Sequence, residues 1–278
     1  MNMLLRLFIK SLSGFCSIFE IFGLSVSHWL ASGIIMAGLL NVAADDTLTV
    51  NQIFEKVREN YSSFSSYSDE GQIITAMNGD VAATRFTIRL ARLNFYRVEW
   101  QQNDQSSFSS ENSTASAVWS SGCGNYLEAG WGVEGPINRD TALAGAAALS
   151  EGAAATIPGF FFSTQVPLEE PMWNGKRLTD EKLGDIDCYV LVRESQFGET
   201  KTFWIGKQDF LIHQVRTVVS AKAMQAGWAK ATKGSPEIAG SLHGFTSTET
   251  HTNIILNQPF SQSDFVPSFP LFQQRNDE

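Results

Sequence analysis

Residues 185–219 constrain the fold of this chain more than any other stretch. They contain three runs rich in β-branched and aromatic residues, separated by turn residues: 186–193, Glu199–Gly206 and 210–219. Connectors this short predict an antiparallel meander, because parallel pairing would need a long crossover. In the first run, apolar residues occupy both alternating sets of positions. A sheet that is apolar on both faces needs cover on both, or an apolar ligand on one of them.

Residues 1–44 have the pattern of an export signal. Arg6 and Lys10 precede an uncharged run over residues 21–44, in which Val42 and Ala44 suit the small-residue positions of a signal-peptidase site. This pattern predicts a signal peptide at 1–44 and a single domain at 45–278 that works in the periplasm. An uncleaved inner-membrane anchor facing the periplasm is the alternative, since the run is long enough to span a bilayer.

The net charge of the predicted exported domain argues against some kinds of binding partner. The whole chain has a net charge of −9, and removing residues 1–44 takes away two basic residues and one acidic residue, which leaves −10. A surface this acidic argues against nucleic acid and anionic lipid headgroups as partners.

Two cysteines, Cys123 and Cys188, remain after the predicted signal. In an exported protein they could form a disulfide. Cys188 also lies among apolar residues of a predicted strand, where a buried thiol that acts as a small hydrophobic side chain is the alternative.

The predicted domain opens with an amphipathic helix. Thr49 and Gln52 have the spacing of a capping box. An apolar stripe of about three helical turns follows at helical spacing: Val50, Ile53, Phe54, Val57 and Tyr61.

A hairpin follows the helix, with strands near residues 70–76 and 84–90 and a turn at 78–80. In the second strand, apolar residues alternate with arginine and threonine, so one face is apolar and the other is solvated. Counting on in the same phase places Arg92 on the apolar face, where a guanidinium needs hydrogen bonds or an ionic partner. A slip of one residue at the next turn would instead leave Arg92 in solvent, and both interpretations stay open.

Residues 140–149 are rich in alanine and glycine and have helix propensity, and an aromatic cluster follows at 157–162. Small side chains offer little packing surface, so such a helix is held weakly. The aromatic cluster could close an apolar opening, or the segment could be an ordinary core helix. Further strands are expected at 117–120, 125–131 and 246–257.

The sequence contains no P-loop, no G-x-S-x-G elbow, no H-E-x-x-H and no calcium-loop spacing. His213, His243 and His251 lie apart, and an isolated strand histidine is more often a satisfied structural residue than a ligand. The acidic residues are scattered, as solvated charges usually are, although carboxylates distant in sequence could still meet in space. We therefore expect a non-enzymatic binding protein with no metal and no cofactor.

Several strings, taken in order, resemble the LolA-like superfamily of periplasmic lipoprotein carriers and lipid-binding proteins. Residues 91–100 are similar to its K-R-P-N-x-F strand–turn–strand segment, and 253–257 with 265–270 are similar to its N-x-x-I…F-x-F-x-x-P ending. Residues 66–71, 118–122 and 202–205 also match loosely. Leu93 stands where carriers have proline, and residues 140–156 depart from the carrier lid.

The resemblance implies an α+β fold in which a strongly curved antiparallel sheet forms a half-open barrel, lidded by helices and holding acyl chains. It also implies that Arg92 hydrogen-bonds the lid backbone and keeps the cavity closed. For every other candidate ligand-binding residue, ordinary core packing is the competing explanation. These candidates comprise four cavity-wall or lid aromatics and three aliphatic residues: Phe86, Ile88, Leu90 and Trp204 in the wall, with Ile157, Phe160 and Phe161 in the lid.

The expected function is that of a monomeric carrier or sensor that binds acyl chains of a lipid or lipoprotein. An inner-membrane donor or an outer-membrane receptor would be its protein partner. Two alternatives stay open: an RseB-like protein-binding regulatory module of the envelope, and an enzyme whose carboxylates converge in an open cleft.

Overall fold

The computed structural model describes residues 48–103, 115–120, 122, 124–129, 132–162, 175–195, 198–231 and 243–267. These residues belong to one compact unit, Val42–Glu278. The predicted export segment at 1–44 lies outside the described residues and stays a prediction, as does the boundary that follows it. None of the described helices is both long and apolar enough to cross a bilayer.

The described elements are twelve strands, four α-helices and a short 3-10 helix. The helices are α1 (Val50–Ser63), α2 (Arg139–Leu149), α3 (Thr156–Phe162) and α4 (Ala221–Ala231), and the 3-10 helix is Gln262–Phe265. The first six strands are β1 (Ser66–Met77), β2 (Asp80–Ala91), β3 (Phe95–Asn103), β4 (Ser116–Ser120), β5 (Asn125–Ala129) and β6 (Gly132–Ile137). The others are β7 (Lys176–Arg177), β8 (Glu181–Leu183), β9 (Ile186–Glu194), β10 (Glu199–Gly206), β11 (Ile212–Val219) and β12 (Phe245–Leu256).

The described strands form a single antiparallel sheet in the order β6-β5-β4-β3-β2-β1-β12-β11-β10-β9-β7, and β8 also pairs with β9. The pairing of β1 with β12 joins the two halves of the chain at the centre. Because β6 and β7 do not pair with each other, the sheet is an open, curved half-barrel. The predicted α+β class, and the predicted meander of β9, β10 and β11, are confirmed.

Helix α1 begins at the predicted capping box. The Thr49 hydroxyl accepts a hydrogen bond from the backbone N–H of Gln52, and the Gln52 side chain accepts one from the backbone N–H of Thr49. The predicted stripe of Ile53, Phe54 and Val57 is buried against the sheet together with Tyr61. The helix therefore covers the same sheet face from its first turn to its last.

The β1–β2 hairpin turns at Asn78 and Gly79, which both have positive φ angles, at 54° and 91°. Asparagine and glycine tolerate this conformation, which the tight hairpin turn requires. In the pairing of β2 with β3, Ile88 lies opposite Val98 and Leu90 lies opposite Tyr96. These side chains line one face of the sheet, and we call it the concave face.

Cys188 lies in β9 with a buried, free thiol, and burial raises its pKa to about 11. Cys123 lies outside the described residues. A pairing of the two stays a prediction, while the buried-thiol alternative describes Cys188 in this structure.

Candidate functional site

Two helices cover part of the concave face, and we call α2 and α3 together the lid. Helix α2 begins at Asn138, whose side chain accepts a hydrogen bond from the backbone N–H of Thr141 at 2.8 Å. The buried side of α2 consists of Ala142, Leu143 and Ala146. Two of these three buried side chains are the single methyl groups of alanine, so the helix buries little apolar surface.

The predicted wall residues of β2 lie where the alternation placed them. Phe86 is 3% exposed, and Ile88 and Leu90 are fully buried. They share one apolar cluster with α1 and the lid. In this structure they are core residues, and their contact with a ligand stays a prediction.

The predicted lid residues pack onto α1 as well as onto the sheet. Ile157 and Phe161 are fully buried, and Phe160 is partly buried. The Phe160 ring lies 5.4 Å from the ring of Phe54 and 5.8 Å from that of Tyr61. Helix α3 is therefore held between α1 and the concave face.

Trp204 was placed on the wrong face by the sequence analysis. Its indole N–H donates to the exposed carboxylate of Glu181 at 2.8 Å, on the outer side of the sheet. Side chains alternate along a strand, so its neighbour Phe203 points inward, where its ring lies 6.0 Å from that of Phe54. Phe203, rather than Trp204, is the aromatic residue that β10 contributes to the concave face.

Arg92 joins the lid to α1. Its guanidinium donates to the backbone oxygens of Tyr61 at 2.6 Å, Phe64 at 2.8 Å and Phe161 at 2.6 Å. The first two carbonyls end α1 and the third ends α3, and helix C-termini leave such carbonyls without intrahelical partners. The interpretation that placed Arg92 on the apolar face is correct, and the solvated alternative is wrong.

Arg92 is half-buried and also contacts an aromatic ring of the lid. The guanidinium carbon lies 4.0 Å from the centre of the Phe161 ring, in a cation–π contact. Burial lowers the pKa of Arg92, but a guanidinium stays charged in proteins. A permanent cation thus bridges two negative helix ends, an arrangement that the helix dipoles favour.

Three further polar contacts hold the lid segment to the sheet. The Thr156 hydroxyl donates to Glu249 at 2.6 Å at the start of α3. The Gln102 side chain donates to the backbone oxygen of Leu149, and the Thr75 hydroxyl donates to Glu151. The contact of Thr156 is buried, whereas the other two are exposed.

Glu249 belongs to a buried polar cluster on the concave face, which comprises Tyr67, Asp69, Glu249 and His251. The Asp69 carboxylate accepts from the Tyr67 hydroxyl at 2.8 Å and lies 2.6 Å from Nδ1 of His251. Nε2 of His251 lies 3.1 Å from the Glu249 carboxylate, in an ion pair whose angle is not that of a hydrogen bond. The side chains of Asp69 and His251 have no exposed surface.

The two carboxylates determine the charge of His251. Burial by itself would lower the pKa of His251, but the charge and hydrogen bond of Asp69, together with the ion pair to Glu249, outweigh it and raise the pKa to about 10. His251 is therefore an imidazolium at neutral pH. One cation between two carboxylates leaves the cluster with a formal charge of −1.

The sequence analysis missed this cluster. It treated His251 as an isolated strand histidine and the acidic residues as solvated charges. Asp69 and His251 are 182 positions apart and meet only because β1 pairs with β12. Their carboxylates converge beneath the lid and not in an open cleft.

The concave face is closed in this structure. Phe86, Ile88 and Leu90 are buried in one cluster with side chains of α1 and α3. A groove of about 400 Å³ is lined by polar residues such as Glu70 and Arg89 together with apolar residues such as Ile255 and Phe260. Its partly charged lining does not suit a hydrocarbon chain.

The fold and the site together define a class of protein: one open antiparallel sheet whose apolar concave face is closed by a helical lid. An open sheet closed by a helical lid is what the sequence resemblance implied. Comparisons with protein-family models and with curated proteins return no match.

Three solved structures illustrate what this chain is similar to. A DUF1329 family protein from Desulfovibrio piger shares 11% identity over 77% of this chain and 95% of that one, with a TM-score of 0.34. A LolA superfamily protein from Nitrosomonas europaea shares 14% over 79% and 98%, with a TM-score of 0.33. The MucA/MucB complex of Pseudomonas aeruginosa matches at 8% identity and a TM-score of 0.41 over 78% of this chain, which spans 60% of that one. Scores this low say nothing about ligand or partner.

Proposed function

We propose that this protein binds acyl chains of a lipid or lipoprotein between its concave face and the lid, as a non-enzymatic carrier or sensor in the periplasm. The observation that carries the proposal is the construction of the lid. Its α2 helix presents mainly methyl groups to the interior, and a single arginine ties the end of α3 to α1. Helix α2 therefore covers part of a continuous apolar surface with few large side chains to hold it there, whereas α3 is buried against α1 and the sheet.

The free energies involved favour exchange of the lid for a ligand. Moving Ile157, Phe160 and Phe161 out of the core would cost roughly 1.5–3 kcal/mol each. An acyl chain of about 16 carbons that leaves water contributes roughly 12 kcal/mol, at about 0.8 kcal/mol for each methylene. One or two chains therefore offset the displaced lid residues and the hydrogen bonds that they lose.

Arg92 sets the balance between the closed state and the ligand-bound state in this proposal. Its three carbonyl contacts exist only when the ends of α1 and α3 lie together. A ligand that moves α3 must break the contact with Phe161 and weaken the cation–π contact. Since a ligand shifts an equilibrium only through its different affinity for the two states, these contacts determine how readily a bound chain is released.

Uptake of a neutral fluorescent fatty-acid ester by delipidated protein tests the proposal. The wild-type protein is expected to bind the probe. The Arg92→Leu variant is expected to take it up faster and to hold it more tightly, because only the closed, ligand-free state loses the carbonyl contacts. Arg85→Leu changes an exposed arginine on the outer face of the same strand and serves as the matched control.

Failure of the delipidated wild-type protein to take up the probe would overturn the proposal. Equal rates of probe uptake and release for Arg92→Leu and the wild-type protein would show that Arg92 does not control ligand exchange. Recovery of one inner-membrane protein partner with no co-purifying lipid would favour the protein-binding alternative instead.

A further inference from the structure

The polar cluster of Tyr67, Asp69, Glu249 and His251 lies inside the surface that the proposed ligand would occupy. Thr156, the first residue of α3, covers it by donating to Glu249. The Phe86 ring lies 5.5 Å from the His251 ring, which places the cluster beside the proposed cavity wall. A lid movement that admits a ligand would uncover the cluster.

Part of the hydrogen-bonding capacity of this cluster is unused. Oδ1 of Asp69, Oε1 of Glu249 and Nε2 of His251 are buried and have no hydrogen-bond partner, although the last two atoms lie 3.1 Å apart as an ion pair. Asp69 is 4% exposed and Glu249 is 7% exposed, so both carboxylates lie away from the protein surface. Unsatisfied buried polar atoms are costly, and in native proteins they often mark a functional site.

The chemistry of the unused atoms defines the group that would satisfy them. The two carboxylate oxygens accept hydrogen bonds and donate none, whereas Nε2 of His251 is a donor that already faces Glu249. The formal charge of −1 repels an anionic group in a site where water does not screen it. Departure of the Thr156 hydroxyl with the lid would leave a further acceptor, Oε2 of Glu249, without its donor.

We propose that this cluster is the headgroup subsite of the acyl-chain cavity and selects ligands whose polar end carries N–H or O–H donors and no negative charge. The inference rests on the proposed function and names the ligand class. The hydrocarbon chain would lie along Ile88 and Leu90, and the donors of the headgroup would bind Asp69 and Glu249. A free fatty acid anion would be a poor ligand for this subsite.

Three amphiphiles with the same oleoyl chain separate the headgroup from the chain. Monooleoylglycerol carries two hydroxyl donors and no charge, oleate carries a negative charge, and methyl oleate carries neither charge nor donor. Each is titrated against delipidated protein loaded with a neutral fluorescent probe. We expect the wild-type protein to bind monooleoylglycerol at least about tenfold more tightly than oleate, since hydrogen bonds to charged groups are worth about that factor.

The variant Glu249→Gln removes the negative charge and keeps an oxygen that can accept from Thr156. It is expected to lower the preference for monooleoylglycerol over oleate by about tenfold. Glu70→Gln is the matched control, because Glu70 neighbours Asp69 on β1 but is exposed on the outer face, where it accepts from Asn253. This control is expected to keep the wild-type preference.

The outcomes separate the two proposals. If none of the amphiphiles displaces the probe, or the probe does not bind, both the proposed function and the subsite are wrong. If acyl chains bind with no preference for monooleoylglycerol over oleate in the wild-type protein, the subsite alone is wrong. Equal changes in both variants would also overturn the subsite, and if Glu249→Gln does not fold, the wild-type preference decides.

Discussion

Arg92 fixes the position of the lid through carbonyl groups that helices leave unpaired at their C-terminal ends. A single guanidinium reaches three such groups because its donors are arranged in a planar fork. A lysine ammonium has the same charge but lacks this fork. At this position, therefore, the shape of the donor matters as well as its charge.

The variant Arg92→Lys is expected to lower the free energy of unfolding by about 2 kcal/mol, because an ammonium at this site would lose at least one of the charged hydrogen bonds. Urea unfolding measures the change. Arg85→Lys, on the exposed face of the same strand, is expected to change it by less than about 0.5 kcal/mol. Equal effects of the two substitutions would show that the carbonyl contacts do not stabilise the closed lid.

The raised pKa of His251 makes stability depend on pH. The pKa is about 10 in the folded protein and 6.5 by its ordinary value, so the folded state holds the proton more tightly. This stabilisation is fully present below pH 6.5 and is lost as the pH rises towards 10. The free energy of unfolding of the wild-type protein is therefore expected to fall between pH 6.5 and 8.5, as measured by urea unfolding at several pH values.

Asp69→Asn provides the comparison for the pH dependence. Removing the carboxylate that contributes most to raising the pKa of His251 should make the decline between pH 6.5 and 8.5 shallower. Asp187→Asn, at an exposed site on β9, should leave it unchanged. A decline equally steep in all three proteins would assign it to other groups.

The sheet face of Arg92 was predicted correctly from the sequence, whereas the face of Trp204 and the polar cluster were not. The face of Arg92 followed from a two-residue alternation that runs unbroken from Thr84. Trp204 was misplaced because β10 has aromatic or aliphatic residues on both faces, where alternation does not distinguish inside from outside. The polar cluster was missed because its members come from the two ends of the domain and only strand pairing brings them together.

Helices α2 and α3 differ from the sheet in how much apolar surface holds them in place. The central strands β1, β2 and β12 pair along nearly their whole lengths. Helix α2, by contrast, buries two alanines and one leucine. Regions with few buried apolar contacts open more readily than the core.

Hydrogen exchange is expected to reflect this difference. Backbone amides of α2 and α3 should exchange faster than those of β1, β2 and β12, as followed by mass spectrometry of proteolytic peptides. Arg92→Leu should accelerate exchange in α3 and leave the three central strands unchanged. Protection of α3 equal to that of β1 in the wild-type protein would contradict a mobile lid.

Helices and strands were predicted correctly where the sequence pattern was strong. The capping box and the apolar stripe predicted α1, and the Asn78-Gly79 turn predicted the first hairpin. Strand β6 was missed because glycine and proline in its sequence oppose strand propensity. Its position at the sheet edge allows both residues, since an edge strand pairs on one side only.

At the scale of the whole molecule, one apolar face of the open sheet is covered by helices that bury different amounts of apolar surface. Helices α1 and α3 bury large side chains, α2 buries mainly alanines, and a buried polar cluster lies on the sheet beside Thr156 of α3. The net charge of −9 makes an anionic surface an unfavourable partner for the outside of the protein. The ligand is therefore expected to bind inside the protein, between the sheet and the lid.

Photo-crosslinking with a monoacylglycerol that carries a diazirine at the end of its chain tests this placement most directly. Strand β2 supplies an internal comparison, because Phe86, Ile88 and Leu90 face the lid while Arg85 and Thr87 face outward. Our account predicts crosslinks to the inward-facing residues and to α3, competed away by unlabelled monooleoylglycerol. Crosslinks confined to the outward-facing residues, or none that competitor removes, would contradict it.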